Sequence, residues 1–167
     1  MLVLGIDPGT AITGYGLVRD NEQELALLEC GVITTPAGQP LPNRLQTIYQ
    51  GLRDIILEHQ PEEAAVEELF FSRNVKTALS VGHARGVTLL ALADAGLPIF
   101  EYKPLEIKQT IAGYGGADKQ QIQEMVRMLL TLDHVPQPDD AADAAAVAIC
   151  HIHSAQMKAL IARESRT

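Results

Sequence analysis

The sequence predicts an α/β domain built on a mixed five-stranded sheet, three strands antiparallel and then two parallel, with helices on both faces. Three observations lead there. The first 35 residues hold three strand-like segments separated by turn formers. After them, short apolar strands alternate with amphipathic helices, giving the order β-β-β-α-β-α-β-α-α-α. No repeat or low-complexity linker breaks the chain. A single domain is therefore expected over residues 1–156, with 157–167 as a C-terminal tail.

"MLVLGI" is an apolar run short enough to be a buried strand. "TGYGLVRD" and "QELALLECGVITT" have strand character and turn-forming ends, so a three-strand meander is expected. "TPAGQPLP" is rich in breakers and reads as a loop. In "NRLQTIYQGLRDIILEHQ" the spacing puts Leu45, Ile48, Leu52, Ile55 and Ile56 on one helical face, with Asn43 as N-cap. "PEEAAVEELFF" suggests a strand of about five residues centred on Val66. "NVKTALSVGHARGVTLLALADAG" is a long helix ending at Gly96. "LPIFEY" is a strand, "PLEIKQTIAG" a short helix and "YGGA" a hinge. "DKQQIQEMVRMLLTL" is a helix capped by Asp118. "PDDAADAAAVAICHIHSAQMKAL" is an alanine-rich helix with Asp in its first turn.

The chain has 167 residues, 47% hydrophobic and 20% charged, a globular profile. No apolar run approaches the roughly 20 residues of a membrane helix, and "MLVLGID" lacks the basic start of a secretory signal. Cys30 and Cys150 have neither redox-pair nor metal-ligand spacing, so reduced thiols in a cytoplasmic protein are expected, with no membrane partner. The net charge is −8. Residues 1–70 carry 3 Lys/Arg against 11 Asp/Glu, whereas 71–127 carry 7 against 5. Only the middle third is basic. The overall charge gives a phosphate-bearing partner no support but does not exclude one, because a bound cation would offset clustered acids.

Asp7 stands at the C-terminal end of an expected central strand, where α/β sheets place ligands. Alone it fits an Asx-turn equally well. Glu67 lies in the next core strand. Alternation puts Ala65, Glu67 and Leu69 on one face and Val66 and Glu68 on the other, and cannot choose between the two glutamates. Asp140 and Asp143 are i, i+3 on a helix and share a face, and Asp139 and Asp143 are i, i+4. Asp in a first turn also suits the helix dipole, and Asp139 suits an N-cap. Three acidic groups on separate elements, without His at ligand spacing, suggest hard oxygen-ligated cations, Mg²⁺ or Mn²⁺. Lys108 and Lys119 flank the hinge "TIAGYGG" and could meet one phosphate. Arg73 and Lys76 lie beside Phe70 and Phe71, a pairing able to stack on bases and hold a backbone, with core packing the alternative for the rings. His83, His151 and His153 carry no functional expectation.

Taken together, "LGIDPGTAITGYG", "AVEELFFSRN", "GHARG", "FEYKPLEIKQTIAGYGGADKQQIQEMVRMLL" and "PDDAADAAAVAICHIH" resemble the RuvC-type Holliday-junction resolvases, in order and in spacing. The resemblance implies an RNase H-like fold and a homodimer making two symmetric Mg²⁺-dependent nicks at a four-way DNA junction. It implies four catalytic, metal-binding acids, Asp7, Glu67, Asp140 and Asp143, and so selects Glu67 over Glu68 and Asp140 over Asp139. It implies two metal ions per subunit, with Mn²⁺ able to substitute for Mg²⁺. It assigns Lys108 and Lys119 to the reacting phosphate and Phe70 to the crossover. Phe71, Arg73, Asn74 and Lys76 are the further DNA-contact candidates. It also implies dimerisation through the helix 74–94 and a branch-migration helicase as partner. Thr10 stands where Ser is frequent, and Asp139 adds a carboxylate beside the site.

"GIDPGT" by itself also fits the phosphate hairpin of actin-like ATPases and sugar kinases. Those chains are at least twice as long, which argues against that reading. A non-catalytic junction binder would not need all four acids. A related nuclease acting on RNA fits "GYGGADKQQIQEMV" and the final Asp pair less well.

Overall fold

The structure, a computed structural model, describes residues 1–21, 24–68 and 75–164. Three strands come first, β1 (Leu2–Asp7), β2 (Ile12–Asp20) and β3 (Leu25–Thr34). Helix α1 (Leu41–His59) leads to β4 (Glu63–Glu67), α2 (Val75–Asp94) to β5 (Ile99–Tyr102). Helices α3 (Pro104–Ala112), α4 (Lys119–Leu129) and α5 (Asp139–Glu164) follow. The strands form one sheet in the order β3-β2-β1-β4-β5. β1 pairs antiparallel with β2 and parallel with β4, so the most apolar strand lies at the centre. The expected mixed sheet of three antiparallel and two parallel strands is what forms.

Each sheet face carries its own core. Leu4, Ile6, Leu17, Ala64 and Val66 pack under α1 and α2, where Ile48, Leu52 and Ile56 supply the buried helical stripe. Val3, Val18 and Ala65 pack under α5, and α3 and α4 cover α5 in turn. Burying an Ile or Leu stabilises by roughly 1.5–3 kcal/mol, and Ile149 and Ile152 of α5 are wholly buried. By length and composition α5 would suffice to cross a bilayer, contrary to the expectation that no segment comes close. Its residues Ala141–Ile152 are buried against the sheet, apart from Asp143.

Small residues on both sides bring α5 onto the sheet. A Cβ at Gly5 would lie 2.1 Å from the Ala144 carbonyl oxygen, one at Gly14 2.0 Å from the Asp140 carbonyl oxygen, and one at Gly16 2.8 Å from Ala145 Cα. Only glycine fits these positions, and the facing alanines complete the close approach. Gly14 and Gly16 thus make room for a helix, whereas Gly9 serves the β1–β2 turn, where a Cβ would sit 2.2 Å from the Ile12 carbonyl oxygen.

Helix starts correct two expectations. α1 begins at Leu41 with Pro40 as N-cap, so Asn43 lies inside the first turn. Pro42 explains the earlier start, because its fixed φ and missing N–H suit a first turn. α5 begins with Asp139 as a helical residue. Asp118 does cap α4, accepting from the Gln121 N–H at 2.9 Å, and Gly96 takes φ +70° just beyond α2. α5 continues to Glu164, exposed from Gln156 onward.

Candidate active site

Parallel pairing of β1 and β4 aligns their C-terminal ends, and Asp7 and Glu67 stand there side by side. Both point to the α5 face. Asp7 shares the face of Gly5, which touches Ala144 and Ala148, and Glu67 shares the face of Ala65 in the α5 core. Glu68 belongs to the opposite alternation, and its N–H donates to the Tyr102 carbonyl. The first turns of α5 supply Asp140 and Asp143. The close contact of Gly14 with Asp140 fixes that end of the helix beside Asp7, because Gly14 is the β2 partner of Asp7. Three distant segments thereby deliver four carboxylates to one end of the sheet.

Their protonation shows the cost of that gathering. Burial, then the charges of Asp143 and Asp140, push Asp7 up to about 6, against a hydrogen bond from Glu67 and the charge of Lys119. Burial and the charge of Asp7 push Glu67 up to about 8, opposed by Lys108. A side-chain hydrogen bond joins the two carboxyl groups. Burial also raises Asp143, while Lys119 lowers it.

Lys119, the first residue of α4, places its ammonium 2.9 Å from Asp143 Oδ2 and 3.4 Å from Asp139 Oδ2. Its own pKa is raised, mainly by the hydrogen bond to Asp143. A cavity of about 210 Å³ is lined by Glu67, Lys108, Lys119 and Asp143 over an apolar floor of Ile107 and Ile122. Both lysines therefore reach the acids, one from each side of the hinge. Asp139 is exposed at the rim.

Among the described residues, no three Asp, Glu, His or Cys side chains already converge as a ligand set. Asp7 and Glu67 are joined by a hydrogen bond, and Asp143 is held by Lys119. The donor set nonetheless fits divalent cations. All donors are carboxylate oxygens, the choice of Mg²⁺ and Mn²⁺, and a doubly charged ion would replace the proton and relieve the repulsion that raises these acids.

Residues 3–151 match the family described as crossover junction endodeoxyribonuclease RuvC. The chain belongs to that family. The protein of that name from Chloroflexus aurantiacus is 62% identical over 155 residues, covering 93% of this chain and 94% of its relative. That from Pelotomaculum thermopropionicum is 58% identical, covering 92% and 93%. Thermus thermophilus RuvC, solved in complex with a Holliday junction substrate, superimposes with a TM-score of 0.89 at 38% identity, over 95% and 96% of the two chains. The yeast mitochondrial Holliday junction resolvase, at 15% identity and a TM-score of 0.60, shares the fold.

In this RuvC-family chain, Phe70, Phe71, Arg73 and Asn74 lie outside the described residues, as does the side chain of Lys76 in α2. His151 carried no expectation from sequence. It is buried, hydrogen-bonded through Nε2 to Glu63 at 2.5 Å and through Nδ1 to the Tyr102 hydroxyl at 2.8 Å, and stacked on Phe100 at 4.3 Å. It ties α5 to β4 and β5. No pattern in sequence announces it, because its partners come from two other elements.

Proposed function

We propose that this chain resolves four-way DNA junctions by paired, symmetric hydrolysis of phosphodiesters, using two divalent cations held by Asp7, Glu67, Asp140 and Asp143. Membership of the crossover junction endodeoxyribonuclease RuvC family supports the substrate and the reaction. The observation that carries the chemistry is the meeting of Asp7, Glu67 and the α5 aspartates from three elements, with two acids raised by burial and mutual charge.

Asp7 would hold both ions, Glu67 one, and Asp140 and Asp143 the other. When bound, Mg²⁺, or Mn²⁺ in its place, supplies Lewis-acid charge to the phosphate and to the attacking water. The chain's own part is to order these acids on rigid elements and to exclude water with the apolar floor of Ile107 and Ile122. Lys108 and Lys119 bring positive charge to the same cavity, against the negative charge that builds on the phosphate. Losing one such group costs on the order of 10²–10³ in rate.

A homodimer through α2 would set two such sites about a two-fold axis, matching the symmetry of a junction. Leu79 and Leu90 of α2, 62% and 54% exposed, support that face as the interface. Phe70, Phe71, Arg73, Asn74 and Lys76 are proposed DNA contacts, a branch-migration helicase is the proposed protein partner, and the cytoplasm the proposed compartment.

The test is to incubate the protein with end-labelled four-way junction, linear duplex and RNA–DNA hybrid, with and without Mg²⁺, and to map the cuts. Paired symmetric nicks in the junction alone, and only with the cation, are expected. Cutting of the hybrid would overturn the reading.

A further inference from the structure

A second groove opens on the other flank of the acids from the lysines. It is about 640 Å³ and is lined by Gly9, Thr10, Ile12, Arg44, Ser80 and Asp140 among others. It shares no lining residue with the cavity of Lys108 and Lys119. Asp140 therefore faces one groove and Asp143 the other.

Arg44 is the cation of this groove. It is one of three Lys/Arg among the first 70 residues, which carry 11 acids. Of the other two, Arg53 lies over the Tyr49 ring and Arg19 lies toward the far end of β2 from the acids. Among the described residues Arg44 has no carboxylate partner, and its hydrogen bond uses Nε alone, donated to Thr35 Oγ1 at 2.8 Å.

That one bond belongs to a relay. Thr35 Oγ1 donates to the Thr10 carbonyl at 2.5 Å, Thr10 Oγ1 donates to the Ser80 carbonyl at 2.5 Å, and Ser80 Oγ donates to Thr10 Oγ1 at 2.8 Å. Thr10 and Thr35 are buried, and Ser80 is half-buried at the groove. It joins α1, the end of β3, the β1–β2 turn and α2. The guanidinium is thus fixed by one edge, with both Nη groups left for a ligand. A planar cation held in this way matches the paired oxygens of a phosphate.

We propose that Arg44 binds a phosphate of the cleaved DNA strand other than the scissile one, and that the Thr35–Thr10–Ser80 hydroxyls position it. The strand would then pass over the acids, gripped by Lys108 and Lys119 on one side and by Arg44 on the other. This rests on the proposed function for its ligand, a DNA phosphodiester.

The test reads binding alone and so needs no cleavage. Junctions carry one uncharged methylphosphonate at each position within three nucleotides of the cut, on either side. Their affinity is measured without divalent cation for the wild-type protein, Arg44→Gln, Arg44→Lys and Thr35→Val. At one position, neutralising the phosphate is expected to weaken wild type by roughly ten-fold, Arg44→Lys by less, and to leave Arg44→Gln unchanged. The slope of log affinity against log salt should fall by about one in Arg44→Gln. Thr35→Val keeps the charge but frees it, so its sensitivity should be partial. Should Arg44→Gln fail to fold, Thr35→Val and Arg44→Lys give the same comparison. Equal sensitivity of wild type and Arg44→Gln at every position, or full sensitivity in Thr35→Val if that variant must decide, would overturn the proposal. A wild-type protein that binds junctions with this coupling but does not cut them would overturn the proposed activity instead.

Discussion

In the proposed function, protons and cations compete for Asp7 and Glu67. With Asp7 at about 6 and Glu67 at about 8, both above the ordinary carboxylate range, the folded protein holds more protons than the unfolded chain between roughly pH 4 and 8. Stability without divalent cation therefore falls as pH rises through that window, the reverse of an acid held by a salt bridge. Thermal unfolding in a chelator, followed from pH 5 to pH 8, should show a decreasing midpoint. Adding Mg²⁺ at pH 8 should raise it, since an ion bound only to the folded state stabilises by mass action. Cleavage at fixed Mg²⁺ should climb over the same range, and more Mg²⁺ should shift the climb to lower pH. Some of this was legible in the sequence. Asp7 and the α5 aspartates stand out by position. Glu67 could not be separated from Glu68 by alternation, because which face receives α5 is a tertiary fact. The resemblance chose Glu67, and the fold puts it on the α5 face. The shifts themselves were not legible, for they arise from carboxylates far apart in the chain.

At the scale of elements, the position of α5 decides the site. Its alanines let it lie close against the strands. Of the glycines in "PGTAITGYG", Gly9 serves the turn. Gly14 and Gly16 serve the helix instead, and nothing in their local sequence separates the two uses. Gly14→Ala would place a Cβ 2.0 Å from the Asp140 carbonyl oxygen, so helix or strand must shift. We expect a loss of about 1–3 kcal/mol in stability and a larger loss of cleavage than of junction binding, read by denaturant titration beside a gel-shift assay. His151 secures the middle of the same helix. His151→Leu leaves the Tyr102 hydroxyl and the half-buried Glu63 without their partner, which should cost about 1–3 kcal/mol. Circular dichroism melting would check it. The start of α1 was misplaced for a local reason: Asn43 is a good cap, but Pro42 fits a first turn better than it fits a loop.

For the whole molecule, the order of strands and helices could be read from periodicity and breakers alone, and the sheet follows from it. Two sites in one assembly could not be read in that way. The exposed leucines of α2 make the claim testable: Leu79→Asp should yield monomers in sedimentation, and nicks that no longer come in symmetric pairs. The net charge of −8 is then no obstacle to a DNA substrate. Cations bound at the clustered acids would neutralise them, and the basic residues Lys108, Lys119 and Arg44 line the grooves beside them. The central claim is that the Asp7 carboxylate holds the cations that cut the junction. Its most direct test is Asp7→Asn, which keeps the shape and removes the charge. Junction affinity without divalent cation should match wild type, while cleavage in Mg²⁺ should fall below detection. Cleavage by Asp7→Asn at a rate near that of wild type would contradict the account.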